Sequence, residues 1–182
     1  MVGMSEAYPV ANAMSDPQSA VIVRIPLPAG LERLRRRRDR SAPLGVPGHV
    51  TILYPFLARR ELTAPVRAEL ASIAREIRAF DVRFATMARW PGVVYLEPEP
   101  RAPFSAMIDR VVARWPDHPP YDGAIDEVIP HLTIAERDGP IDDVLAAVPG
   151  FLPFVARATG LEVLAETEEG RWRSRWRLPF RP

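Results

Sequence analysis

The chain has 182 residues, a formal net charge of +1 and no cysteine. Its length fits one domain, and the lack of cysteine excludes disulfides and thiolate chemistry, while the small net charge excludes a molecule-wide field that attracts nucleic acid. No run of about 18 apolar residues and no signal-like N-terminus is seen, so we expect a cytoplasmic protein without a membrane span.

The first half of the chain alternates strand and helix patterns. Residues 1–18 are small, polar and aperiodic, and are expected to form a disordered tail. Apolar runs and helical spacing then predict a strand over 19–25, a helix over 29–40, a strand over 49–53, a helix over 63–80 and a strand over 81–87. The helix over 29–40 carries an arginine run at positions 33 and 35–38, which predicts a solvated face, with an RNA-facing patch as the alternative.

The second half repeats this order. The sequence predicts a strand over 93–96, a helix over 103–115, an irregular stretch over 116–128, a strand over 131–136, a short helix over 140–148, a strand within 153–166 and a last strand over 171–178. Alternation in the last strand places tryptophans 172 and 176 on one face and four arginines on the other. This pattern predicts a half-buried edge strand with a wet arginine face, and an RNA-binding stripe is the alternative.

A tetrapeptide of the form His, aliphatic, Thr, Ile occurs twice, at His49–Ile52 and at His131–Ile134. The chain has only three histidines, and two of them begin these copies. Side chains alternate along a strand, so each copy presents its imidazole and hydroxyl on one face and its aliphatic residues on the other.

Two such copies in one groove suit phosphodiester chemistry. Imidazole has an unperturbed pKa near ~6.5, so one histidine can accept a proton while the other donates one. The hydroxyls of Thr51 and Thr133 can donate hydrogen bonds to the non-bridging phosphate oxygens. The residues alone do not decide which of His49 and His131 is the acid and which is the base.

The repeated order of elements predicts a duplicated architecture. Two halves related by a pseudo-twofold axis bring the motif strands together across a central groove. We expect an α+β fold with two mostly antiparallel sheets and helices outside. The domain spans residues 19–182, with lobes at roughly 19–90 and 91–182.

The segments Gly48–Phe56 (GHVTILYPF) and Pro130–Ala135 (PHLTIA) resemble the two-histidine phosphoesterase superfamily. That superfamily includes the 2′–5′ RNA ligase-like proteins and cyclic nucleotide phosphodiesterases. The resemblance covers residues 19–180. It implies a bilobal fold and metal-independent hydrolysis or transesterification of 2′,3′-cyclic phosphates or related nucleotide esters. It also implies catalysis by His49 and His131, with Thr51 and Thr133 on the phosphate.

Three further residues are candidates for substrate binding. Arg137 has the same parity as His131 in an unbroken strand, and Arg24 ends the first strand, so each is a candidate phosphate ligand. Tyr121 lies on the long loop before the second motif, where it is a candidate for stacking on a base. Tyr54 has the wrong parity for the groove, and packing is its expected role, with re-aiming by the break at Pro55 as the alternative.

Two function classes remain open. The first is a metal-independent phosphodiesterase acting on a nucleotide cyclic phosphate or an RNA 3′ end, without a cofactor and as a monomer. A metal site is not expected, because three histidines without a short-spaced cluster give few ligand sets. The second class is a module that binds an RNA end or nucleotide without turnover.

Overall fold

The computed structural model describes residues 17–124, 128–136 and 140–182. In these ranges the chain forms eight strands and four α-helices. In chain order they are β1 (Ser19–Arg24), α1 (Ala29–Arg38), β2 (His49–Leu53), α2 (Ala64–Glu76), β3 (Phe80–Trp90), β4 (Val93–Glu99), α3 (Ala102–Arg114), β5 (Leu132–Glu136), α4 (Asp142–Ala147), β6 (Phe154–Ala158), β7 (Gly160–Glu166) and β8 (Trp172–Pro179).

The strands form two four-stranded sheets, in the orders β2-β1-β7-β8 and β5-β4-β3-β6. Every neighbouring pair within them is antiparallel. The predicted α+β class is therefore confirmed. Each motif strand lies at an edge of its sheet, beside the strand that begins its half of the chain, and β2 and β5 contact each other where the sheets meet.

The sheets do not divide at residue 90, where the sequence places the boundary between lobes. β3 comes from the first half of the chain and lies in the second sheet, while β7 and β8 come from the second half and lie in the first sheet. The single strand predicted within 153–166 is two strands, and the chain passes from the second sheet to the first at Thr159. Hydrophobic alternation predicts a strand but does not indicate which sheet the strand joins. The exchange of strands between the two halves therefore cannot be predicted from the sequence pattern.

The helices bury apolar faces at helical spacing. In α3 the buried residues are Phe104, Met107, Ile108 and Val111, which recur every three or four positions. α1 packs against β5 and α3 packs against β2, so each of these two helices contacts the motif strand of the opposite half. These reciprocal contacts hold the two motif strands in one body.

One main core joins both sheets and the helices, and it takes the aliphatic side of each motif, such as Val50 and Leu132. The opposite side of each sheet carries the motif histidines and threonines, and we call it the site face. A second small cluster on the site face of the first sheet contains Ala20, Ile22 and Leu164.

The backbone of Pro17 and Gln18 is tied to the domain, so the predicted tail does not extend to residue 18. The Pro17 carbonyl accepts a hydrogen bond from Arg59 N (2.8 Å), and the Gln18 carbonyl accepts one from Glu166 N (2.8 Å). The rest of that prediction lies outside the described residues. None of the helices in the described ranges has the length and hydropathy needed to span a bilayer.

Candidate active site

The first motif strand contains a β-bulge at Ile52. Its pairing with β1 passes from Ile22 opposite Thr51 to Val21 opposite Leu53, so Ile52 is the extra residue. Directly paired residues share a face. The bulge therefore turns both Ile52 and Leu53 into the core, where both are buried.

The second motif strand has the equivalent bulge at Ile134. Its pairing with β4 passes from Tyr95 opposite Thr133 to Val94 opposite Ala135. Ile134 and Ala135 are both buried in the core. The duplication thus extends beyond the tetrapeptide to the irregularity that follows it.

These bulges reverse the parity of the residues that come next. Tyr54 packs against the site-face cluster and its ring lies 6.0 Å from that of Trp172, so it has the expected packing role but on the site face, contrary to the parity of an unbroken strand. Glu136 is the equivalent residue of the second motif, and it pairs opposite Val93 on the face of Thr133. Glu136 is half-buried and forms an ion pair with Arg40.

The two catalytic candidates are held in the same way. Nδ1 of His49 lies 2.8 Å from the Pro47 carbonyl oxygen, and Nδ1 of His131 lies 2.7 Å from the Ile129 carbonyl oxygen. A carbonyl only accepts, so in each ring Nδ1 carries the hydrogen and the lone pair of the neutral imidazole is on Nε2. Both histidines therefore offer the same nitrogen for proton transfer.

A hydroxyl accompanies the first imidazole. Thr51 Oγ1 lies 3.1 Å from Nε2 of His49, as the shared parity of the two residues predicts. Gly48 sets the approach to this strand, because a Cβ there would lie 2.9 Å from the Ile25 carbonyl oxygen and 2.9 Å from the Leu27 side chain. A larger residue would push the His49 backbone away from the sheet.

Both histidines are shifted towards the neutral form. Burial, the Arg35 charge and the nearby His131 lower the pKa of His49 from 6.5 to about 4, against the opposing effects of the Pro47 carbonyl and Asp39. Burial also lowers the pKa of His131, which the Ile129 carbonyl partly opposes. The two motif strands contact each other, which places the two histidines on neighbouring strand ends.

Arg35 is a buried part of the candidate site that the sequence pattern does not predict. It belongs to the arginine run expected on a solvated face, but its side chain is fully buried and lies 2.7 Å from the Asp39 carboxylate. It donates to the Thr133 carbonyl (Nε, 3.1 Å), the Val46 carbonyl (Nη1, 2.8 Å) and Ser41 Oγ (Nη2, 3.3 Å). One guanidinium thus ties the backbone of the second motif to the loop before the first.

The spacing of α1 contains the signal for this burial. Leu31, Leu34 and Arg35 are its buried residues, at positions i, i+3 and i+4 of one helical face. Asp39, one turn after Arg35, supplies the matching carboxylate. The neighbours Arg33, Arg36 and Arg37 are not buried, so the predicted solvated face holds for them.

A family model described as the 2′-5′ RNA ligase superfamily matches residues 23–170. This range contains both motif strands and all four helices of the described chain. The chain belongs to the 2′-5′ RNA ligase superfamily. No curated protein sequence matches the chain.

Several solved structures share this fold. The apo form of E. coli LigT matches with a TM-score of 0.56 at 20% identity, over 92% of this chain and 100% of LigT. The TT0787 protein of Thermus thermophilus matches with a TM-score of 0.60 at 18% identity, over 90% of this chain and 98% of TT0787. LigT structures with NADP+, 3′-AMP and ATP also match. At these identities the likeness establishes the fold.

Two aromatic rings form a wall against His131 of the second motif. The Trp90 ring lies 4.1 Å from the Tyr95 ring in a stacked arrangement. The two rings contact His131 nearly edge-on, with centroid distances of 4.8 Å for Trp90 and 5.4 Å for Tyr95. This wall buries the imidazole, and burial is the main cause of the lowered pKa of His131.

The other predicted binding residues have different outcomes. Arg24 lies opposite His49 in the β1–β2 ladder, so it shares the site face, and its guanidinium pairs with Glu162. Tyr121 N donates to the Tyr54 carbonyl (2.7 Å), which places this part of the long loop beside the site face, while stacking of Tyr121 on a base stays a prediction. Arg137 lies outside the described residues. Its predicted parity assumed an unbroken strand, and the bulge at Ile134 removes that assumption.

No metal-ligand set is found in the described part of the chain, where no three histidine, aspartate or glutamate side chains come together. Metal independence itself stays a prediction.

Proposed function

We propose that this superfamily member is a metal-independent phosphodiesterase that opens 2′,3′-cyclic phosphates of nucleotides or RNA ends. The observation that carries the proposal is the matched pair of imidazoles. In both, a backbone carbonyl fixes Nδ1–H and leaves Nε2 for proton transfer, and a threonine shares the face of each. The structures of LigT with 3′-AMP, ATP and NADP+ support a nucleotide as the ligand of this fold.

The proposed reaction needs one neutral and one protonated histidine. A water molecule attacks phosphorus, one Nε2 takes a proton from this water, and the other gives a proton to the ribose oxygen as its bond to phosphorus breaks. Hydroxyls of Thr51 and Thr133 donate to the non-bridging oxygens as negative charge develops there.

We assign the base to His49 and the acid to His131. The buried Arg35 guanidinium disfavours a proton on His49, and no such cation is among the causes that shift the pKa of His131. In this assignment a single proton shared by the pair resides on His131. This state is ready for water activation by His49 and leaving-group protonation by His131.

The test is hydrolysis of nucleoside 2′,3′-cyclic phosphates and of a short RNA with a cyclic phosphate end, with and without EDTA. We expect turnover that EDTA does not change and that His49→Ala and His131→Ala each lower by at least ~10²-fold. Circular dichroism of both variants checks their folding. Absence of turnover by folded wild-type protein that still binds the RNA end contradicts the proposal and favours a binding module.

A further inference from the structure

Two arginines flank a buried carboxylate on the site face of the first sheet. Glu162 on β7 is only 3% exposed. Arg24 donates to both of its oxygens, from Nε to Oε2 at 2.8 Å and from Nη2 to Oε1 at 3.0 Å. Nε of Arg177 on β8 lies 3.7 Å from Oε1. We call these three residues the arginine clamp.

A bulge in β8 places Arg177 in this clamp. The β7–β8 pairing passes from Val163 opposite Trp176 to Leu164 opposite Ser174, so the strand has an extra residue at position 175. The clean alternation predicted for the last strand is therefore wrong. Trp172 packs on the site face, Trp176 packs on the main core, and Arg177 pairs directly with Glu162.

The clamp carries one net positive charge. Burial raises the pKa of Glu162, but hydrogen bonds from Arg24 and Ser174 and the nearby guanidinium charges outweigh it and hold the pKa below its ordinary value. The carboxylate is thus ionised at neutral pH and balances only one guanidinium. The side chains of Arg24 and Arg177 remain 45% and 70% exposed, so their outward N–H groups can reach a ligand.

The clamp is close to the proposed reaction centre. Arg24 is directly opposite His49, one strand away. Strands are about 4.7–4.9 Å apart, so the Arg24 guanidinium over β1 and β7 lies roughly 5–10 Å from the motif strand, which is within the span of one nucleotide. The backbone of Arg177 on β8 is three strand spacings, or roughly 14 Å, from that strand, and its side chain reaches back towards Glu162.

We propose that Arg24 and Arg177, oriented by Glu162, form a second phosphate subsite that binds the phosphodiester next to the reacting phosphate. The proposal rests on the proposed function and makes an RNA end the substrate class. One net positive charge matches the single negative charge of a diester. Direct cross-strand pairing leads from Thr51 on β2 to Ile22 on β1, then to Glu162 on β7 and Arg177 on the edge strand β8. An RNA strand that follows this line of paired residues can leave the protein across the open edge of the sheet.

The test compares three substrates that share one cyclic nucleotide and differ in the group on its 5′ oxygen. They are a nucleoside 2′,3′-cyclic phosphate, the same compound with a 5′-phosphate monoester, and a dinucleotide that ends in the same cyclic nucleotide. The variants are Arg24→Gln and Arg177→Gln. Arg173→Gln is the matched control, because Arg173 is an exposed arginine of β8 on the opposite face, paired with Ala165.

We expect the wild-type protein to prefer the dinucleotide over the mononucleotide in kcat/KM. Each clamp variant lowers this preference about tenfold, mainly through KM, because it removes one charged donor to the diester. Arg173→Gln leaves the preference unchanged. Arg177→Gln keeps the Arg24–Glu162 pair, so it provides the test if Arg24→Gln does not fold.

Three results would overturn the subsite. They are no preference for the dinucleotide, equal losses in the clamp variants and the control, and a preference for the 5′-monoester alone, which points to small bisphosphorylated nucleotides. Absence of turnover on all three substrates contradicts the proposed function instead. In that case the subsite is tested by fluorescence anisotropy titration of a 5′-labelled short RNA. Weaker RNA binding by Arg177→Gln than by Arg173→Gln supports the subsite, and equal binding overturns it.

Discussion

Arg35 on α1 donates a hydrogen bond from Nε to the backbone carbonyl oxygen of Thr133 on β5, over 3.1 Å. The same guanidinium binds the Val46 carbonyl, in the loop that leads to His49. A helix of the first half therefore positions the second motif, and its charge acts on the first. Arg35 is a positioning residue, since it works through the motif strands and is itself buried beneath them.

Replacing Arg35 separates its geometric role from its charge. Arg35→Met leaves the buried Asp39 without its cation, and we expect a loss of ~3–5 kcal/mol in the free energy of unfolding, measured with urea. Arg35→Lys keeps a cation but lacks the planar fork, so it also destabilises the fold. Only the Met variant removes the charge that lowers the pKa of His49, so only there should that pKa rise.

Histidine titration by NMR measures this difference. Arg36→Met is the control, because Arg36 is an exposed neighbour on the same helix. An unchanged pKa of His49 in a folded Arg35→Met variant would show that the guanidinium stabilises the structure through its hydrogen bonds and does not affect His49 through its charge.

The pH dependence of activity follows from the two lowered pKa values. Catalysis needs one neutral and one protonated imidazole, and in the free protein this state is most populated between the two pKa values. The pKa of His49 is about 4 and that of His131 lies below 6.5. We therefore expect kcat/KM to fall as the pH rises through neutrality.

The profile of kcat should lie at higher pH than that of kcat/KM. A bound phosphate anion favours the protonated imidazole and raises both pKa values in the complex. Steady-state kinetics from about pH 4 to about pH 9 measures both profiles. A kcat/KM that increases from about pH 6 to about pH 8 would contradict the assigned protonation states.

The motif hydroxyls should contribute to transition-state binding. Thr51→Val and Thr133→Val each keep the shape of the side chain but remove its donor, and we expect each to lower kcat/KM by ~10²-fold. Serine at either position should restore most of the activity. Thr159→Val, at an exposed threonine between β6 and β7, is the control and should behave as wild type. Valine variants with wild-type kinetics would remove the threonines from the proposed mechanism.

The aromatic wall should set the pKa of His131. Trp90→Ala opens the imidazole to water, and because burial is the main cause of the lowered pKa, the value should rise towards 6.5. Trp90→Phe keeps a ring against His131 and should give a smaller rise. NMR titration of His131 in the two variants measures the shift, and an unchanged pKa in Trp90→Ala would assign the burial to other neighbours.

The sequence by itself determined the motif pair and its orientation. Period-two alternation put His49 with Thr51, and the 3.1 Å contact between them agrees with that placement. It also predicted the α+β class, because apolar spacing distinguishes strands from helices locally. These features depend on neighbours within a few residues, which a linear sequence displays.

Tertiary structure alone decided the features that depend on register and on distant partners. Bulges at Ile52 and Ile134 are hidden within apolar runs, yet they turn Tyr54 and Glu136 onto the site face. The extra residue in β8 likewise moved Arg177 to the side of Glu162.

The burial of the Arg35 charge also depends on distant partners that the sequence pattern does not indicate. An arginine run predicts a solvated face because an unpaired buried guanidinium is costly. The groups that offset this cost belong to Asp39, Ser41, Val46 and Thr133. Thr133 is 98 positions away along the chain. Only folding brings such a partner near, so burial of this charge follows from the packed structure and not from the local pattern.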